Sequence, residues 1–201
     1  MTADAPRVLA LGDSYTVGEG VRPAERWPAR LARRLRDEGA GVADPEIVAV
    51  TGWTAADLGA ALDQADLSPP YALVTLMVGV NDQYDGVPLA AYRDAFRALL
   101  GRAAAWAGGD PGRVLAVSIP DWGATPFAAD RDRAEVSRAV DAFNRAARDE
   151  VEAAGAAWVD VTPLSRTQGD RVVGDGLHPS GDVYAAWTEL VLPAARAALH
   201  G

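Results

Sequence analysis

The 201-residue sequence contains no cysteine, which excludes disulfides, thiolate metal sites and a cysteine nucleophile together. Lysine is absent as well, so all 19 basic residues are arginine. That pattern is read first as a compositional habit of the coding genome, but it removes Schiff-base chemistry, a Ser-Lys dyad and a P-loop lysine. Positive charge is scarce overall, and a net charge of -9 opposes binding to nucleic acid or anionic lipid, both of which need a basic surface. Long apolar runs are missing too. No segment approaches the roughly 20 residues of a membrane span, so no stable membrane association is expected. Residues 1–6 carry neither a basic n-region nor an apolar h-region; a cytoplasmic protein is expected, with only the first few residues disordered. What remains is oxygen and histidine chemistry, in a chain whose 49% hydrophobic and 23% charged residues suit one globular domain over residues 1–201.

Apolar runs alternate with helical patterns along the whole chain. Strands are expected at residues 7–11, 46–50, 73–78, 113–119 and 157–161, the third being a continuous apolar run of the kind found where helices cover both faces of a parallel sheet. Between them, Trp27, Leu31 and Leu35 recur at helical spacing over residues 27–38, and Leu58, Ala61 and Leu62 point inward from a helix capped by Thr54 with Asp57. Leu89, Tyr92, Phe96, Leu99, Leu100 and Ala103 trace one stripe of a helix over residues 89–106. Val136, Val140, Phe143, Ala147 and Val151 do the same over residues 131–154. A loop around Arg166 and Arg171 leads to a closing helix at 180–199, bent or interrupted at Pro193. The pattern predicts an α/β fold, a three-layer α/β/α sandwich with a five-stranded parallel sheet, for which the flavodoxin-like order 2-1-3-4-5 is the expected arrangement.

Every unusual motif follows a predicted strand. Leu9-Ala10-Leu11 runs into Gly12-Asp13-Ser14-Tyr15; the later strands lead to Gly52, to Gly79-Val80-Asn81-Asp82, to Asp121-Trp122, and to Asp175-Gly176-Leu177-His178-Pro179. In a parallel sheet these ends lie on one side and converge on one crevice. Ser14 needs a base, because an alcohol is a weak nucleophile alone. Of the two histidines, His200 falls in an expected frayed tail, whereas His178 opens a helix with a carboxylate three residues before it. Asp175 at that spacing can accept from Nδ1–H and leave Nε2 for a serine hydroxyl.

Together, the Gly12-Asp13-Ser14-Tyr15, Gly52, Gly79-Val80-Asn81-Asp82 and Asp175-Gly176-Leu177-His178-Pro179 segments resemble the four blocks of the SGNH (GDSL-type) hydrolases, in the same order and across essentially the whole chain. The resemblance implies an esterase or lipase-like acyl hydrolase with Ser14 as nucleophile, His178 as base and Asp175 as its orienter. It implies an oxyanion hole built from the backbone N–H groups of Ser14 and Gly52 and the side-chain amide of Asn81. A glycine at 52 lets backbone approach closely, and an asparagine at 81 donates without adding charge. The sequence has no Gly-x-Ser-x-Gly elbow, so the strained turn of the α/β-hydrolases is not expected.

The neighbours of these motifs have plainer uses. Asp13 is expected to bond backbone within its loop. Asp82, Asp85 and Asp121 lie in separate loops with no histidine left to join them, so no metal and no cofactor is expected. Arg166 and Arg171 are expected to form ion pairs. Trp53, Gln83, Tyr84, Trp122 and Phe127 are the candidate lining of a substrate pocket, with residues 121–127 as a specificity loop. The partner expected is a small-molecule ester, with short acyl groups favoured. A carbohydrate O-deacetylase, a thioesterase or an acyltransferase would use the same triad. From another class, a nucleotide- or flavin-binding flavodoxin-like module is opposed by Asp13 and Glu19 in the first loop, which repel phosphate. The acyl group and the oligomeric state do not follow from the sequence.

Overall fold

The computed structural model describes residues 5–200, so the expected disorder of the first few residues lies outside the described part. Strands β1 (Val8–Gly12), β2 (Glu46–Ala49), β3 (Leu73–Met77), β4 (Val114–Val117) and β5 (Ala157–Val159) pair all-parallel in the order β2-β1-β3-β4-β5. β1 lies between β2 and β3, with Gly12 level with Ala49 on one side and Met77 on the other. Every residue of β1, β3 and β4 is buried, whereas β2 and β5, at the two edges, are half-buried throughout. The apolar runs thus belong to the strands covered on both faces.

One face carries α2 (Trp27–Asp37) packed on α8 (Gly181–His200); the other carries α3 (Ala55–Leu62), α5 (Leu89–Trp106) and α6 (Arg133–Ala154) side by side. Trp27, Leu31 and Leu35 are fully buried on α2. Thr54 caps α3 in a capping box with Asp57, each side chain bonding the other's backbone N–H. Glu150 on α6 is buried and accepts from Arg93 and Arg97 of α5, with the Arg97 Nε contact at 2.6 Å. An ion pair therefore joins the two longest helices of that face.

Several local expectations are corrected. Leu89, the first residue of α5, is exposed, and Ala61 is only partly buried while Ala55 turns inward. Pro193 lies inside α8 on its exposed side, and the helix continues through His200 rather than fraying before it. Three short helices were unforeseen: α1 (Ser14–Val17), α4 (Val80–Tyr84) and α7 (Thr162–Thr167), the last in the segment expected as loop. Each is six residues or fewer, too short for a helical period to register.

Candidate active site

β1 ends at Gly12, where a Cβ would stand 2.4 Å from the Met77 carbonyl and 2.2 Å from Thr16 Oγ1, so only glycine fits between β3 and the turn that follows. Asp13 then caps α1, its Oδ1 accepting from Tyr15 N–H at 3.0 Å. This is the backbone role expected of it. Ser14 is the first residue of α1 and is 4% exposed. Burial pushes the Asp13 carboxyl up to about 7, the Asp82 charge adding to the effect while the Tyr15 N–H opposes it.

The segment between α7 and α8 folds into a tongue. Val172 bridges Pro179, and Val173 N–H donates to the His178 carbonyl at 2.8 Å. Within it Asp175 Oδ1 accepts from the backbone N–H groups of Leu177 (2.8 Å) and His178 (3.0 Å), while Oδ2 lies 2.6 Å from His178 Nδ1. A carboxylate only accepts, so Nδ1 carries the ring proton; Nε2, 2.9 Å from Ser14 Oγ, is then the acceptor of the serine proton. Partial burial pushes Asp175 up, but the His178 ring and the two backbone donors outweigh it and hold the carboxyl below its usual range. Tyr15 lays its ring 5.3 Å from the imidazole, and burial, reinforced by Asp13 and Asp175, keeps its hydroxyl protonated.

Gly52 follows β2 with φ +88 and open space around it, so its backbone faces the cleft without a side chain in the way. Asn81 sits on α4, and its Nδ2 donates to the Trp53 carbonyl at 2.8 Å. An amide has two such hydrogens. The first ties Asn81 to the Gly52 turn and thereby orients the second. Asp82, buried next to it, accepts from Ala55 N–H at 2.8 Å and fastens α4 to the start of α3. Ser14, Gly52, Asn81 and His178 all border one cleft of about 180 Å³.

The model of the GDSL-like lipase/acylhydrolase family matches residues 10–186. The chain belongs to this family. As a GDSL-like hydrolase it cleaves ester bonds, and the family's range of esterases and lipase-like enzymes bounds its activity at that level. No curated protein matches it. Among solved structures it is similar to TesA (23% identity, 96% of this chain and 99% of that one, TM-score 0.74). It is also similar to a lipase/acylhydrolase from Enterococcus faecalis (18%, 95% and 96%, 0.72). A third is Axe2, an acetylxylan esterase from Geobacillus stearothermophilus (18%, 97% and 96%, 0.72). At these identities the likeness is one of fold.

In this GDSL-like hydrolase the wall of the cleft is aromatic. Trp122 is buried, and Tyr84 and Phe127, both exposed, stand edgewise against it at 5.4 and 6.0 Å. Two candidate lining residues lie elsewhere. Trp53 packs half-buried on the core and contributes only its carbonyl, to Asn81. Gln83 faces the neighbouring groove, where its Oε1 accepts the Trp122 indole N–H at 2.6 Å. Gln83 therefore fixes the wall without being part of it. Tyr15, Thr51, Val80 and Leu177 also line the cleft; each adjoins a motif residue, which was the signal available for them. Arg166 pairs with Asp121 (2.8 Å) and Asp141 (2.7 Å), and Arg171 with Asp182. Among the described residues no group of three or more His, Asp or Glu side chains is arranged to hold a metal.

Proposed function

We propose that this enzyme hydrolyses small carboxylic esters through an acyl-Ser14 intermediate. The observation that carries the reading is the continuous chain Ser14 Oγ, His178 Nε2, His178 Nδ1 and Asp175 Oδ2, with contacts of 2.9 and 2.6 Å. His178 takes the hydroxyl proton as Oγ attacks the ester carbonyl, and Asp175 stabilises the imidazolium. The oxyanion is received by the N–H groups of Ser14 and Gly52 and by Asn81 Nδ2. His178 then returns the proton to the departing alcohol, and a water activated in the same way releases the acid. A cleft of about 180 Å³ walled by Tyr84, Trp122 and Phe127 supports short acyl groups.

A second reading, removal of an acyl group from a polyol or sugar, is favoured by one observation. A polar groove of about 270 Å³, bordered by Gln83, Arg131, Asp132 and Glu135, shares Tyr84 and Trp122 with the cleft. A p-nitrophenyl ester series from acetate upward, run beside acetylated sugars, separates the two. The first reading expects kcat/KM to fall once the acyl chain outgrows the cleft, with Ser14→Ala lowering kcat by about 10⁴ or more and a fluorophosphonate labelling Ser14. Turnover of acetylated sugars alone supports the second. Undiminished activity in Ser14→Ala refutes the nucleophile in either.

A further inference from the structure

The Gly52 turn is carried by β2, a half-buried edge strand, and backbone on such a strand is held less firmly than at the centre of a sheet. The turn is nevertheless tethered on both flanks. On one, Trp53 accepts from Asn81. On the other, Thr51 donates its hydroxyl proton to the carboxylate of Glu19. Glu19 belongs to the turn that ends α1: its N–H and that of Gly18 both donate to the Ser14 carbonyl, at 3.0 and 2.9 Å. The glycines on either side of it have φ of +71 and +76, which folds the segment tightly. At Gly20 a Cβ would stand 2.6 Å from Val173 Cγ2, and Val173 in turn holds the His178 carbonyl.

From these contacts we infer that Glu19 is a positioning residue: the Gly18–Glu19–Gly20 turn is the hub that sets the Gly52 donor and the His178 tongue at fixed distances from Ser14. This rests on the hydrolase reading of the site. Gly20 meets the tongue by close backbone approach, and Glu19 meets the Gly52 turn by a single hydrogen bond. Both Glu19 and Thr51 are exposed, so their bond adds little to stability. Its signature is kinetic. An oxyanion donor displaced by a fraction of an ångström loses part of its stabilisation in the transition state while ground-state binding is spared.

The test is a double-mutant cycle on p-nitrophenyl acetate hydrolysis with Thr51→Val, Glu19→Ala and the pair, beside Thr51→Ser and Ser14→Ala. Each single variant is expected to lose about tenfold to a hundredfold in kcat with KM within about twofold of the parent and an unchanged melting temperature. The pair is expected to be no worse than the poorer single variant, since one bond is lost in each, and Thr51→Ser is expected to restore kcat. Parental kcat in Thr51→Val overturns the proposal. So does a loss confined to KM, an additive loss in the pair, or a Thr51→Ser as slow as Thr51→Val. Activity retained in Ser14→Ala would overturn the hydrolase reading itself, whereas an inactive Ser14→Ala beside a fully active Thr51→Val overturns only the role of Glu19.

Discussion

Asn81 braces the Gly52 turn through Trp53 and borders the cleft, and on the proposed mechanism its second amide hydrogen serves the oxyanion. Asn81→Ala removes both, and we expect kcat to fall about 10² to 10³-fold with KM little changed; steady-state kinetics showing the reverse split would make Asn81 a binding residue. Asp13 gives a different prediction. Its Oδ2 is buried without a partner, and its carboxyl titrates at about 7 when folded against 3.8 ordinarily. A folded value above the unfolded one means that its contribution is complete below pH 4 and is lost as pH rises through 7. Asp13→Asn keeps an acceptor for the Tyr15 N–H and cannot ionise. Melting temperatures measured from pH 4 to 9 should therefore decline more steeply between about pH 4 and 7 in the parent than in Asp13→Asn and run parallel above that, and curves parallel over the whole range would show that the Asp13 carboxyl is not raised in the folded protein.

The elements that hold the site are the short ones. α4 begins after Gly79, whose φ of +130 is unsuited to a side chain and whose Cβ would lie 2.6 Å from the Tyr92 ring. Gly79→Ala should therefore destabilise the protein by about 1–3 kcal/mol in denaturant melts and lower kcat with it, because α4 carries Asn81. These same elements mark the limit of what the sequence discloses. The five strands were legible from apolar runs, their order from likeness to flavodoxin-like sheets, and Ser14, Gly52, Asn81 and His178 from their places at strand ends. α1, α4 and α7 were not, since four to six residues hold less than two turns of pattern. Nor was the tie between Glu19 and Thr51, two polar side chains 32 residues apart that no periodicity relates. The orientations of Trp53 and Gln83 depend on which way a turn and a helix of five residues face, which only packing decides.

Over the whole molecule the charge of -9 is expected to bias which esters reach the cleft. Glu19 and Asp175 are bonded to Thr51 and His178 of the cleft, while Glu135 borders the adjoining groove with Arg131, which stands over Tyr84. A field of this sign attracts cations and repels anions over about 10 Å at 0.1 M salt. Accordingly kcat/KM for a cationic choline ester should fall as salt is added, that for an anionic acyl-CoA should rise, and that for a neutral ester should stay flat; equal salt dependence for all of them would remove the steering. The 164 positions between Ser14 and His178 have a further consequence. On the proposed mechanism neither half of the chain cleaves an ester alone, because Ser14 precedes and His178 follows the connection between β3 and β4. Hydrolytic activity is in that sense a receipt for a finished fold, and two fragments divided between β3 and β4 would make a reporter that is silent until they reassemble.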